Sequence, residues 1–435
     1  MPNAGGIASV AALIAISLWQ VEGGSSPRFG PLSIFGPLYP DSGKTIPDIE
    51  SMDVPGKAFT VYWNVPTFMC RKYGVLFDLK EFDIQQNEND DFRGSTSVIM
   101  YDPGEFPAIV DDSGNDPGPS KRAVNIRNGG VPQQGNLTLH LKSFRAELEK
   151  MIPDPTFSGV AVIDFEFWRP SWKENWGTLL KYRELSRKLV QSKHPSWNKN
   201  QVESEAKQKF EYSARKFMEE TLKLAKRLRP NGRWGYYAFP YCYNFTPGNP
   251  GPECSTTAID GNSRIRWLYD GSTALFPSVY LESKKLTEEE NYEFIYSRVN
   301  EAKRVTRGSS TPVYPYVRYN YRDAPIFLSK VDIFNSMVVP RLLKADGVMI
   351  WGSGKDVNSA EKCQRLLTYA TNTLGPVAKF VSDLPEGKVS NADLENRGRS
   401  GALPSVSGAT RMRKLRKAFL SVNTLPLNEW TENDE

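Results

Sequence analysis

Two acidic residues follow an apolar segment in the middle of this 435-residue chain. Residues 159–163 are apolar and rich in β-branched side chains, and they lead directly to Asp164 and Glu166. Such a run predicts a strand that is buried on both faces, as in parallel sheets. Side chains at i and i+2 of a strand share a face, so the two carboxyls should lie close together. Two like charges in a partly apolar site raise the pKa of one of them, which a general acid beside a carboxylate requires.

An Asp-x-Glu tripeptide also has simpler explanations. It occurs by chance in many chains, and a carboxylate after a strand is often a helix cap or the ion-pair partner of a nearby arginine such as Arg169. Whether Asp164 and Glu166 do chemistry therefore depends on what the other elements place beside them.

Short apolar or aromatic runs predict seven strands, at residues 59–63, 97–101, 159–164, 234–239, 275–280, 313–317 and 346–351. Helical patterns lie between most of them, including one that begins with the capping box Thr287-x-x-Glu290. A last helix carries Cys363 and is expected to end at Gly375-Pro376. Strands and helices that alternate in this way predict a parallel α/β barrel.

Active sites of such barrels gather at the C-terminal ends of the strands. The residues at those predicted ends are Trp63, Tyr101, Asp164 with Glu166, Tyr237, Tyr280, Tyr316 and Trp351. Any one of these aromatic residues is explained by core packing. Together they indicate a carbohydrate-binding cleft, in which ring faces stack on sugars and phenol hydroxyls bind polar atoms.

The two ends of the chain differ from this middle part. Residues 1–24 contain one apolar run, at 7–19, that is too short to span a bilayer, so we expect a signal peptide and secretion. We expect a domain from 25 to 380 and a flexible polar tail from 381 to 435 with a basic cluster at 411–417.

The net charge of +5 is compatible with an acidic polymer as substrate. Basic residues are not interleaved with aromatic ones as nucleic-acid modules require.

The cysteines, sequons and histidines bear on compartment and cofactors. Four cysteines permit three disulfide connectivities; Cys242 and Cys254 flank a Pro/Gly-rich loop and are paired here, which leaves Cys70 with Cys363. The sequons at Asn136 and Asn244 are candidate glycosylation sites. His140, expected at the surface or in a cap, and His194, in a polar loop, leave little room for a histidine metal site or a Ser-His-Asp triad. We therefore expect no metal and no cofactor.

Six phrases of the sequence stand out, in this order: TVYWN from residue 60, VIDFEFWRP from 162, WGYYAFPYCYN from 234, LFPSVY from 275, PYV from 315 and GVMIW from 347. Together they resemble the hyaluronidase family of glycosidases. The resemblance covers about residues 59–376 and implies an α/β fold, a distorted TIM-like barrel of about seven parallel strands. The four cysteines fall where the family has two disulfides, which agrees with the pairing above.

The resemblance also implies roles for matching residues. Glu166 stands at the position of the family's proton donor, and Asp164 at that of the carboxylate that orients the substrate's N-acetyl group. The residues matching positions in the substrate cleft are Tyr237, Tyr280, Trp351, Tyr101 and Tyr316. Phe167 departs from the family, where a charged residue usually follows the glutamate; we expect its side chain to point away from the cleft.

The function implied is endo-hydrolysis of the β-1,4 bond from N-acetylhexosamine to glucuronate in hyaluronan and in chondroitin, with the substrate's own acetamido oxygen as nucleophile. Chitin is disfavoured, because Gly159 and Val162 occupy earlier acid positions of the chitinase pattern. The alternatives are a chondroitin-preferring hydrolase of the same fold and a catalytically idle glycan-binding protein. We expect a glycosaminoglycan as partner, no nucleic acid, no membrane and a monomer.

Overall fold

The computed structural model describes residues 53–54, 59–111, 124–283, 285–384 and 387–388. The expected signal peptide and the basic cluster of the tail lie outside these residues. The strands are β1 (Asp53–Val54), β2 (Thr60–Asn64), β3 (Ile84–Gln85), β4 (Ser97–Tyr101), β5 (Ala108–Asp111), β6 (Val124–Arg127), β7 (Val160–Asp164), β8 (Arg233–Tyr236), β9 (Tyr316–Arg318), β10 (Gly347–Trp351) and β11 (Gly387–Lys388). The helices are α1 (Leu137–Met151), α2 (Leu180–Lys193), α3 (Lys199–Leu228), α4 (Thr256–Arg264), α5 (Arg266–Gly271), α6 (Glu288–Val305), α7 (Lys330–Leu342), α8 (Ala360–Tyr369) and α9 (Gly375–Ser382).

The long strands form two parallel ladders. One has the order β3-β2-β10-β9, and the other has the order β4-β7-β8. Two short antiparallel pairs, β1 with β11 and β5 with β6, lie outside these ladders and were not predicted. Six of the seven predicted strands are confirmed, with bounds shifted by a few residues at most.

The seventh predicted strand, at 275–280, is not a continuous strand. It forms isolated parallel bridges from Phe276 to Tyr237 on one side, and from Leu275 to Val313 and Ser278 to Tyr316 on the other. Pro277 lies within it and has no N–H to donate, which interrupts the ladder. The segment still occupies the place between β8 and β9 and joins the two ladders.

Side chains from these segments meet in one interior cluster. Its buried members are Tyr62, Ile99, Val160, Val162, Ala274, Phe276, Tyr314, Tyr316 and Met349. They come from β2, β4, β7, β9, β10 and the segments before β9, so the parallel segments surround a common interior. β2 and β4 belong to different ladders and do not pair with each other, so the barrel is distorted.

Helices cover the outside of this barrel, as the periodicity predicts. The capping box at Thr287 and Glu290 is present at the start of α6. The expected end of the last helix at Gly375-Pro376 is wrong, because a π turn at Ala370–Leu374 leads directly from α8 into α9. Pro376 then lies in the first turn of α9, where its missing N–H costs no hydrogen bond. In the part of the chain described here, no helix combines the length and apolar character needed to cross a bilayer.

Both predicted disulfides are present. Cys70 bonds Cys363, which links the turn after β2 to α8 across 293 residues of sequence. Cys242 bonds Cys254 and closes the loop between them.

His140 differs from its expected surface or capping role. Its side chain is fully buried against Phe106 and Phe217, and its Nε2 lies 2.8 Å from the hydroxyl of Thr221. Burial, with a contribution from the charge of Arg127, lowers the pKa of His140 to about 3, so the ring is a neutral member of the core.

We predict that Gly347→Ala destabilises the barrel. Gly347 pairs with Thr60 in the β10–β2 ladder, and an added Cβ would lie 2.0 Å from the Thr60 carbonyl oxygen. Overpacking of this kind costs about 1–3 kcal/mol, so the urea midpoint should fall. Gly248→Ala is the matched control, because nothing lies within 4 Å of its added Cβ. Equal effects of the two substitutions would contradict this packing.

Candidate active site

The acid pair lies where β7 ends. Asp164 is the last residue of β7, and Glu166 follows two residues later in an exposed position. The backbone N–H of Asp102 donates to the Asp164 carbonyl oxygen at 2.7 Å, which continues the β4–β7 pairing to the edge of the barrel. Asp164 Oδ1 is buried and has no hydrogen-bond partner among the described residues. A buried acceptor without a partner is costly, so this atom is a candidate ligand-binding group.

The electrostatics of Asp164 follow from its position. Burial raises the pKa of this carboxyl well above its usual value of 3.8, and the charges of Glu166 and Asp102 raise it further against an opposing contribution from Arg169. The prediction that one pKa of the pair rises is therefore confirmed.

A nearby ion pair escaped the sequence analysis. Asp102, the residue after β4, adopts a positive φ of 43° and accepts two hydrogen bonds from the guanidinium of Arg127, one of them 2.8 Å long at Nη2. Arg127 ends β6, so the β5–β6 hairpin is anchored to the end of β4. The one available signal was an acid directly after a predicted strand end; the arginine is 25 residues away in sequence.

Four aromatic side chains form a continuous wall beside the acids. The Trp351 indole N–H donates to the Tyr101 hydroxyl at 2.7 Å, and the Trp351 ring stacks on Tyr280 at 5.9 Å. Tyr280 in turn contacts Tyr237 at 6.2 Å, and Tyr237 lies within the electrostatic influence of both Glu166 and Asp164. Tyr101 is 41% exposed at the rim. The structure thus brings these four predicted residues together.

The fifth predicted aromatic, Tyr316, lies beneath this wall. It is fully buried in the barrel interior, packs edge-to-face on Tyr237 at 5.2 Å, and donates from its hydroxyl to Asn64 Oδ1 at 3.3 Å. Tyr316 therefore supports the ring of Tyr237 from the barrel interior.

Trp63 does not belong to the ring of strand-end residues. β2 ends one residue later than predicted, and side chains alternate along it, so Tyr62 is in the interior and Trp63 packs on Phe77 and Tyr319 outside it. Asn64 takes the strand-end place that the sequence analysis gave to Trp63.

Arginines surround the site, and two of them have no carboxylate partner in an ion pair within the described part of the chain. Arg93 donates from Nε to the Ile99 carbonyl oxygen at 3.2 Å and lies in the electrostatic field of Tyr101. Arg169 donates to the backbone oxygen of Glu166 at 2.9 Å. Arg318, over the Trp351 ring, is paired with Asp356 instead.

Phe167 packs away from this wall. Its ring contacts Phe165 at 6.0 Å, and the guanidinium of Arg127 lies 5.2 Å from its centre. Phe165 belongs to the main hydrophobic core, so the residue that departs from the family pattern is part of the support under the strand end.

The two sequons differ in accessibility. Asn136 is exposed at the start of α1, where its side-chain oxygen accepts from the Leu139 N–H. Asn244 is only 1% exposed; its amide nitrogen donates to two backbone oxygens, and its oxygen accepts from Arg298. A glycan on Asn244 is incompatible with this packing, so the sequence-based expectation for Asn244 does not hold in the folded protein.

Comparison with known proteins identifies the family. A family model described as "Hyaluronidase" matches residues 50–398. The chain belongs to the hyaluronidase family of glycoside hydrolases. A hyaluronidase of Polistes annularis is 46% identical over 341 residues, which is 77% of this chain and 90% of that protein. The hyaluronidase of Apis mellifera is 45% identical over 350 residues, 79% of this chain and 87% of that one.

A solved structure agrees with this membership. Bee venom hyaluronidase, crystallised in complex with a hyaluronic acid tetramer, is 46% identical and superposes with a TM-score of 0.71 over 74% of this chain and 99% of that one. The α/β fold expected from the hyaluronidase resemblance is therefore confirmed.

We predict that Asp164→Asn changes the pH dependence of stability. Between the usual aspartate pKa of 3.8 and the higher pKa of Asp164, the folded protein binds more protons than the unfolded chain. The stability that this carboxyl contributes therefore falls as pH rises, and the substitution removes that loss. The melting temperature of the variant relative to wild type should therefore increase as the pH rises above about 4.

Thermal unfolding followed by circular dichroism checks this. Asp260→Asn, which changes an exposed carboxylate on α4, is the control. A difference between Asp164→Asn and wild type that stays constant across the pH range would contradict the assignment.

Proposed function

We propose that this protein is a secreted hyaluronidase that hydrolyses the β-1,4 bond between N-acetylhexosamine and glucuronate inside a glycosaminoglycan chain. The observation that carries the proposal is the acid pair: Asp164 with a buried and unpartnered oxygen, next to an exposed Glu166, beside an aromatic wall. This combination offers one carboxyl to a buried amide and one to a solvent-side leaving group.

The placement of the two carboxyls favours participation by the substrate. A direct double displacement needs a nucleophile and an acid on either side of the scissile bond. Asp164 and Glu166 leave the same strand end only two residues apart. The substrate's own acetamido oxygen is then the group that attacks the anomeric carbon, and the configuration at that carbon is retained overall.

Each acid has its own task in this reaction. Glu166 donates its proton to the leaving glycosidic oxygen as the acetamido oxygen bonds to the anomeric carbon. Asp164 accepts the acetamido N–H and stabilises the positive charge that forms on the oxazolinium-like ring. In the second half Glu166 takes a proton from the attacking water, which opens the ring and restores the starting state.

The wall and the rim would bind the sugars. Tyr237 and Tyr280 direct their hydroxyls to the acetamido sugar, and Trp351, held by Tyr101, packs along its face. Arg93 and Arg169 provide charge for the uronate carboxylates of the polymer. Tyr316 acts from below by supporting Tyr237.

The comparisons support the substrate and the compartment. The bee venom relative was crystallised with a hyaluronic acid tetramer, and its name places it in venom. Two disulfides in the chain are typical of proteins that fold outside the cytosol. Hyaluronan is accordingly the polymer we propose.

Glu166→Gln should lower the hydrolysis of hyaluronan at least about 100-fold, because the amide has no proton to donate to the leaving oxygen. Mass spectrometry of the products from hyaluronan and from unsulfated chondroitin measures both rate and product type. Glu253→Gln, an exposed change in the loop closed by Cys242 and Cys254, is the control and should retain full activity.

Saturated even-numbered oligosaccharides are the expected wild-type products. Products with a 4,5-double bond would make the protein a lyase and overturn the mechanism. A wild-type protein that cuts neither polymer would favour an idle glycan-binding protein.

A further inference from the structure

Three aromatic side chains continue the site on the side of Glu166. The rings of Tyr241 and Tyr243 are parallel to within 4° at 5.4 Å, and Trp176 meets Tyr243 edge-on at 5.7 Å. The guanidinium of Arg169 lies 5.0 Å from the centre of the Tyr241 ring. We call Tyr241, Tyr243 and Trp176 the aromatic track.

The track begins at the proton donor. Arg169, which covers Tyr241, also binds the backbone oxygen of Glu166 at 2.9 Å. The charge of Glu166 is felt at Tyr241, where burial is the main cause of a raised pKa. The track therefore starts beside the residue that would protonate the leaving group and continues away from it.

The track is held rigidly. Cys242, between the two tyrosines, is buried and bonded to Cys254, which fixes the backbone that carries both rings. The carboxylate of Glu174 lies behind the track and interacts with Tyr243, Arg169 and Trp176, which opposes the rise in its pKa that burial causes. Ordered side chains lose little entropy when a ligand binds them.

Trp176 nevertheless remains 52% exposed, an unusual state for so large an apolar side chain that is also tied to its neighbours. An exposed and preorganised indole presents a flat apolar face of the kind that stacks on the C–H face of a sugar. Arg169, over Tyr241 at the other end of the track, adds a cation for the carboxylate of an acidic sugar.

We propose that the aromatic track binds the leaving-group side of the glycosaminoglycan, with Trp176 stacking on a sugar beyond the bond that is cut. This inference rests on the proposed function. An enzyme that cuts inside a polymer holds sugars on both sides of the bond, and the track supplies the second side. Trp176 is thus a determinant of substrate length.

Hydrolysis of hyaluronan oligosaccharides of increasing length tests this. Trp176→Ala should lower kcat/KM for long oligosaccharides about tenfold, equivalent to one good aromatic contact, and leave the shortest cleaved oligosaccharide unaffected. Trp176→Phe should retain most of the activity. Tyr212→Ala removes another exposed aromatic, 62% exposed on α3, and should match wild type at every length. An equal loss at every length would indicate a structural role and overturn the proposal.

Calorimetry separates this inference from the proposed function. In the Glu166→Gln background, a hyaluronan octasaccharide should bind about tenfold more weakly when Trp176 is also replaced by Ala. An affinity that does not change on replacing Trp176, or no binding by Glu166→Gln itself, would overturn the proposal that the aromatic track binds substrate. If wild type does not hydrolyse hyaluronan but the affinity still depends on Trp176, the proposed hydrolysis fails and the track stands.

Discussion

The burial of Asp164 beside a second carboxyl is the constraint on which the rest of the site depends. Burial and the charge of Glu166 both oppose ionisation of Asp164, so the arrangement costs stability unless a ligand uses it. Backbone hydrogen bonds hold Asp164 in this position despite the cost. β7 is paired on both sides, by β4 and β8, and the N–H of Asp102 continues that pairing past the strand end. The Arg127 guanidinium then fixes Asp102 from the β5–β6 hairpin.

Much of this arrangement is predictable from sequence, because it rests on local patterns. The long helices have strong apolar periodicity, and the buried strands are short β-branched runs with clear ends. Parallel strands deliver their ends to one edge, so Tyr101, Tyr237, Tyr280 and Trp351 could be placed beside Asp164 before any contact was known. Tyr101 and Trp351 are the last residues of β4 and β10, so their placement needs only a strand end, which a few residues define.

Features that depend on distant contacts or on exact strand bounds were not predictable in this way. Trp63 was misplaced because a shift of one residue reverses the side-chain alternation of a strand. The burial of His140 depends on Thr221, 81 residues away. The Asp102–Arg127 pair likewise joins two loops that no short pattern connects. The exposure of Trp176 results from tertiary packing and has no sequence signal of its own.

The central claim is that the substrate's acetamido group is the nucleophile, served by Asp164 and Glu166. The most direct test is the rate of hydrolysis of hyaluronan oligosaccharides whose acetyl groups carry zero, one, two or three fluorine atoms. Fluorine withdraws electrons and weakens the acetamido oxygen as a nucleophile. The account predicts that kcat falls with each fluorine, by at least about tenfold over the series, or about 1.4 kcal/mol in activation free energy. A kcat that is independent of fluorination would contradict it.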